Sequence, residues 1–127
     1  MTLAGVSLLV LEDDRDTMEL FARSLVKLGA HVRTAASAEL ALQLLESWTP
    51  DAILCDLHLP GVDGYAFLER VRSLHHLDAV PLIAISASHP SIEHQKALDA
   101  GFAIHLTKPS KLSEIIGAVS QLVPAAQ

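Results

Sequence analysis

The chain predicts an α/β fold in which a parallel sheet carries helices on both faces. Short apolar runs that suit buried strands recur along it, at Ser7–Leu11, Ala52–Cys55 and Pro81–Ile85, with shorter ones at His31–Thr34 and Ala103–Leu106. Segments with apolar residues at helical spacing stand between and after them. The two kinds alternate strictly, five of each. Alternation at this period means repeated βαβ units, hence a doubly wound parallel sheet.

Each element has a local reason. Ser7–Leu11 is continuously apolar and ends in acids. Asp14 or Asp16 can cap the helix that follows, whose face is Met18, Phe21, Leu25 and Leu28. Gly29 is placed to end it. Ala41, Leu44, Leu45 and Trp48 mark the second helix, closed by Thr49-Pro50, with Trp48 at the edge of the core. The strand Ala52–Cys55 runs straight into Asp56. After the loop Leu59-Pro60-Gly61, Asp63 caps a helix carrying Phe67, Leu68, Val71 and Leu74. His75 and His76 follow and read as solvent-facing. A fourth helix starts at Pro90 and stops at Gly101. The last one turns Leu112, Ile115, Ile116 and Val119 inward, and Pro124–Gln127 reads as a loose tail.

Composition narrows the function. The 127 residues carry a formal charge of −6, which argues against nucleic acid as a direct partner. Between Glu12 and Glu19, five acids and one arginine hold −4 of that charge. The excess is therefore local. Asp14, Asp16 and Glu19 suit the start of a helix in solvent. The single cysteine, Cys55, excludes an intrachain disulfide and suits a reducing compartment, so a cytoplasmic location is expected. Its place in a buried strand predicts a packed thiol. No apolar run reaches the ~20 residues of a bilayer span, so no direct membrane contact is expected.

In an open parallel sheet, ligands bind beyond the carboxyl ends of the strands. The first strand ends in Glu12-Asp13-Asp14, the third in Asp56, the fourth in Ser86 and the fifth in Thr107-Lys108-Pro109. The second ends in Ala35-Ala36, which is chemically blank. That asymmetry suits the strand order 2-1-3-4-5, with the blank strand outermost. Crowded carboxylates disfavour one another's ionisation, and a divalent cation relieves them. Mg²⁺ takes hard oxygen ligands, and Glu12, Asp13 and Asp56 fit that need. A lysine and a hydroxyl alongside complete equipment for phosphoryl transfer, in which a carboxylate can be the nucleophile.

These residues also carry a family resemblance. The stretches LLVLEDD, DAILCDLHLPGVDGY, IAISA and HLTKP fall in order, with 43, 30 and 22 residues separating Asp13, Asp56, Ser86 and Lys108. The chain resembles a receiver domain of two-component response regulators from about Ser7 to Leu122, and most of all the receivers of hybrid sensor kinases. The resemblance implies one receiver domain over residues 1–127 with a flavodoxin-like fold. It implies that Asp56 accepts a phosphoryl group from a phosphohistidine on a histidine kinase or phosphotransfer domain. Asp13, Glu12, Asp56 and the backbone carbonyl of His58 would hold Mg²⁺, or Mn²⁺ in its place. Lys108 would contact the phosphoryl group, and its bond to Pro109 would be cis. Ser86 and His105 would form the switch that reshapes the fourth helix, fifth strand and fifth helix toward a downstream protein.

Several positions depart from the commonest pattern. His105 stands where Tyr or Phe is usual, and Ser110 where Phe is frequent. His58, expected over the phosphoryl group, and Ser88 occupy positions that tune phosphate lifetime in the family. Such a domain is not a turnover enzyme on a separate substrate. One rival is a Mg²⁺-dependent aspartyl-phosphate phosphatase, which would want a second Asp where His58 stands. Another is a scaffold receiver that is not phosphorylated, which would have lost acids or the lysine.

Overall fold

The computed structural model describes residues 3–87 and 90–124. Five parallel strands, β1 (Ser7–Leu11), β2 (His31–Ala35), β3 (Ala52–Asp56), β4 (Leu82–Ser86) and β5 (Ile104–Thr107), form one sheet in the order β2-β1-β3-β4-β5. Helices α1 (Arg15–Lys27), α2 (Ala38–Leu45), α3 (Gly64–Arg72), α4 (Pro90–Ala100) and α5 (Leu112–Leu122) follow the strands in turn. A 3₁₀ turn at His75–Leu77 leads from α3 toward β4. This is the doubly wound sheet that the alternation predicts, in the flavodoxin-like form that the resemblance implies.

Strand alternation assigns the helices to two layers. Leu9, Leu11, Ile53, Cys55, Leu82 and Ala84 bury against α2, α3 and α4 through Leu45, Phe67, Val71 and Ala97. Leu8, Val10, Leu54, Ile83 and Ile85 bury against α1 and α5 through Phe21, Leu25, Ile115 and Val119. The central strands β3 and β4 are buried at every position, as strands covered on both faces must be. The edge strand β2 exposes His31, Arg33 and Thr34, which explains its weaker apolar signal.

Side-chain caps set three helix starts. Asp14 accepts from the Thr17 N–H, Ser37 from Leu40 and Asp63 from Ala66. Asp14 is therefore the cap of α1, and Asp16 lies inside its first turn. Gly29 follows α1 at φ 99°, a left-handed backbone that favours glycine.

One reading needs correction, and a contact marks the place. The second helix stops at Leu45, so Trp48 lies beyond it, partly buried against the core with the Arg33 guanidinium 4.7 Å above its ring. His76 is exposed, as expected, yet its ring has a partner. Its Nε2 lies 2.8 Å from the Leu45 carbonyl oxygen. A carbonyl only accepts, so this nitrogen carries the proton. His76 thus satisfies a carbonyl that the end of α2 leaves free. His75 is likewise exposed and neighbours Asp78.

Candidate functional site

Strand register brings the chemistry to one edge. Leu11 pairs with Cys55, Asp56 with Ile85, and Ser86 with Thr107, so the residues at or just past these ends become neighbours. β2 reaches the same edge with Ala35, opposite Leu11, and adds no charge.

Asp56 ends β3 and is buried. Its Oδ1 accepts from the His58 backbone N–H at 3.0 Å, and its Oδ2 from Lys108 Nζ at 2.9 Å. The same ammonium donates to Glu12 Oε1 at 2.9 Å. The Lys108 N–H is itself anchored on the Ser86 carbonyl at 2.7 Å, and the Lys108–Pro109 peptide is cis, as expected. Gly64 allows the loop after β3 to close. A Cβ there would meet Leu57 Cα at 2.8 Å and the Asp56 carbonyl at 2.9 Å.

The electrostatics divide the acids. Burial pushes the Glu12 carboxyl up to about 7, with neighbouring Asp56 adding to the rise and Lys108 opposing it. Burial acts on Asp56 in the same direction. There, hydrogen bonding with Glu12, Lys108 and the His58 N–H prevails and holds the carboxyl below its ordinary value. Asp56 is thus the carboxylate kept ionised. Burial disfavours the Lys108 ammonium, yet its two carboxylate partners raise its pKa above the ordinary value.

Oxygens of Glu12, Asp13 and Asp56 all lie within 4.8 Å of one another, with Asp13 exposed and the other two buried. Glu12 Oε2 is buried with no hydrogen-bond partner. An orphaned carboxylate oxygen beside two more carboxylates is a donor set that fits a hard divalent cation.

Ser86 is fully buried at the end of β4. Its Oγ lies 2.8 Å from His105 Nε2, and the His105 ring meets the His94 ring edge-on at 5.5 Å between centroids. His58 divides its roles. Its backbone serves Asp56, while its ring Nε2 stands 3.1 Å from Glu93 Oε1 on α4, outside hydrogen-bond geometry. Glu93 is a buried acid that the sequence reading did not single out. The available signal was its place four residues before the buried Ala97, on an inward helix face. Cys55 is buried, and burial drives its thiol pKa far up, as expected of a packed thiol. Ser88 lies outside the described residues.

The model of the response regulator receiver domain matches residues 8–120. The chain belongs to this family. Its receiver domain is 39% identical, over 94% of this chain and 92% of the other, to an uncharacterized 14.6 kDa protein of Leptolyngbya boryana. It is 37% identical to the transcriptional regulatory protein AfsQ1 of Streptomyces coelicolor, over 81% of this chain but only 44% of that one. Among solved structures it is similar to the receiver domain of a sensor histidine kinase from Pseudomonas aeruginosa PAO1, with 30% identity and a TM-score of 0.86 over 95% of this chain and 99% of that one. That neighbour has a magnesium ion coordinated in its active site cleft. Among the described residues, no helix of this receiver is long and apolar enough to cross a membrane.

Proposed function

We propose that this receiver takes a phosphoryl group from a phosphohistidine of a histidine kinase or phosphotransfer domain onto Asp56. The observation that carries the reading is the state of Asp56: a buried, ionised carboxylate with one oxygen on Lys108 and the other on the His58 N–H. An Asp56 oxygen bonds to phosphorus as the bond to the donor imidazole nitrogen breaks, and that nitrogen retains the electron pair. Lys108 follows the charge onto the phosphoryl oxygens, and Ser86 donates to one of them.

Glu12, Asp13, Asp56 and the His58 carbonyl would hold Mg²⁺, or Mn²⁺ in its place. The bound ion supplies charge neutralisation for the phosphoryl oxygens. A groove lined by Thr17, Leu20, Phe21, Ala87, Pro109 and Ser110 opens beside Lys108, and Leu20 is exposed there, which supports approach of the donor protein from this side. The signal leaves through α4, β5 and α5 toward a downstream protein. His58 and Ser88 tune the lifetime of the phosphoryl group. The working compartment is the cytoplasm.

The test is labelling by a small acyl phosphate with Mg²⁺. An alkali-labile adduct on the parent chain is expected, absent in Asp56→Asn and absent in chelator. Labelling that survives either change overturns the reading.

A further inference from the structure

The acid Glu93 is buried without a bond that satisfies it. It lies on α4 at 6% exposure, and among the described residues its Oε1 has no hydrogen-bond partner. A buried carboxylate oxygen in that state costs free energy and attracts any polar hydrogen within reach. Two groups stand near it. The His58 ring nitrogen Nε2 is 3.1 Å from Oε1, close enough for attraction but poorly aligned for a hydrogen bond. The Tyr65 hydroxyl of α3 is buried and, among the described residues, also lacks a partner. Burial, with Glu93 adding to the rise, pushes that hydroxyl up to about 12.

The two neighbours differ in freedom. The Tyr65 ring is wedged edge-on to Phe102, with 5.9 Å between centroids, and the Lys96 ammonium sits 4.6 Å from its centre. Glu93 moves only with its helix, which is anchored one turn on by the fully buried Ala97. The His58 side chain is more than half exposed and can turn. Its backbone is pinned, because its N–H donates to Asp56 Oδ1 at 3.0 Å. The ring therefore swings from a pivot beside the acceptor carboxylate. It can lie outward against Glu93, as it does in the structure, or inward over Asp56.

We propose that Glu93 is a positioning residue for the lifetime of the phosphoryl group: it draws the His58 ring onto α4 and leaves the phosphoryl group on Asp56 open to water. This deepens the functional reading and rests on Asp56 being the acceptor. In hydrolysis a water oxygen bonds to phosphorus as the bond to the Asp56 oxygen breaks. The carboxylate keeps the electron pair, the water gives up a proton to solvent, and inorganic phosphate leaves. A ring lying over the phosphoryl group blocks the approach of that water. Glu93 keeps the approach clear, so the phosphoryl group is short-lived.

The test follows loss of label from the whole chain in Mg²⁺, after the acyl phosphate is removed, by mass spectrometry of the intact protein. Glu93→Leu fills a similar space and removes the acceptor. Its label is expected to persist about three- to tenfold longer, the range spanned by one polar contact. Glu93→Gln keeps an oxygen facing the ring and is expected to return most of the parent rate. In a His58→Ala background, Glu93→Leu is expected to change the rate by less than about twofold, because the two residues act through one contact. Glu93→Met carries the same expectations should Glu93→Leu not fold. Parent-like or faster loss of label in Glu93→Leu overturns the inference. So does a Glu93→Gln rate as slow as that of Glu93→Leu, or an equal effect of Glu93→Leu with and without the His58 ring. In each of these cases, label that still requires Asp56 leaves the functional reading standing. A parent chain that takes no label on Asp56 overturns both.

Discussion

Two polar clusters share the carboxyl edge of this sheet, and they keep buried polar atoms by opposite means. Glu12, Asp56 and Lys108 form a charged set in which one ammonium serves two carboxylates. Ser86 and His105 form a pair linked by a single hydrogen bond, with His105 packed against His94. Burial does not distinguish them, since Asp56 and His105 are 6% and 7% exposed. Completeness does. The charged set retains an unpartnered oxygen at Glu12 Oε2, while the Ser86 hydroxyl and His105 Nε2 satisfy each other. The unfinished cluster is built to take in charge from outside. The finished one already has its partners within the fold.

The largest expected break is Asp56→Asn. It keeps the shape of the charged set, removes the carboxylate proposed as nucleophile, and is expected to abolish acyl-phosphate labelling as read by mass spectrometry. Next is Lys108→Ala, which leaves Glu12 and Asp56 together without their shared cation. In chelator, urea unfolding is expected to show a loss of about 1–3 kcal/mol, reduced when Mg²⁺ is restored.

A pH series sharpens the contrast further. The Glu12 carboxyl sits at about 7 in the fold against 4.5 ordinarily, so the folded state binds more protons between those values. Stability in chelator therefore falls as pH rises from about 4.5 to about 7 on account of Glu12, and Glu12→Gln flattens that part of the profile. The smallest effect is Ser86→Ala. It removes one neutral hydrogen bond, and urea unfolding is expected to register about 0.5–1.5 kcal/mol with little dependence on Mg²⁺. A strong Mg²⁺ dependence of that loss would join the two clusters into one.

Much of this was legible in the sequence because it rests on local rules. The run Ala52–Cys55 ending in Asp56 reads as a strand that delivers a carboxylate, and β3 does so. Asp14 and Asp63 read as caps and are caps. What was not legible involves partners far along the chain. Trp48 continues the helical spacing of Ala41 and Leu45, yet α2 ends before it, and His76, 31 residues on, binds the Leu45 carbonyl there. Spacing cannot show where a helix will be interrupted by packing. Glu93 has an ordinary surface composition around it, and only the fold shows it buried beside His58.

The sequence by itself determined the alternation of strands and helices, the acids at the end of β1, and which residue types could reach the carboxyl edge. These follow from side-chain period and capping, which act within a few residues. The tertiary structure decided how those groups are paired. Lys108 reaches Glu12 across 96 residues and Asp56 across 52, and Ser86 reaches His105 across 19. Strand register fixes those distances, and the resulting burial sets which carboxyl stays ionised and which is raised. Charge alone placed Glu12 and Asp56 in one class; their neighbours in the folded chain left one of them raised with an oxygen to spare and held the other ionised.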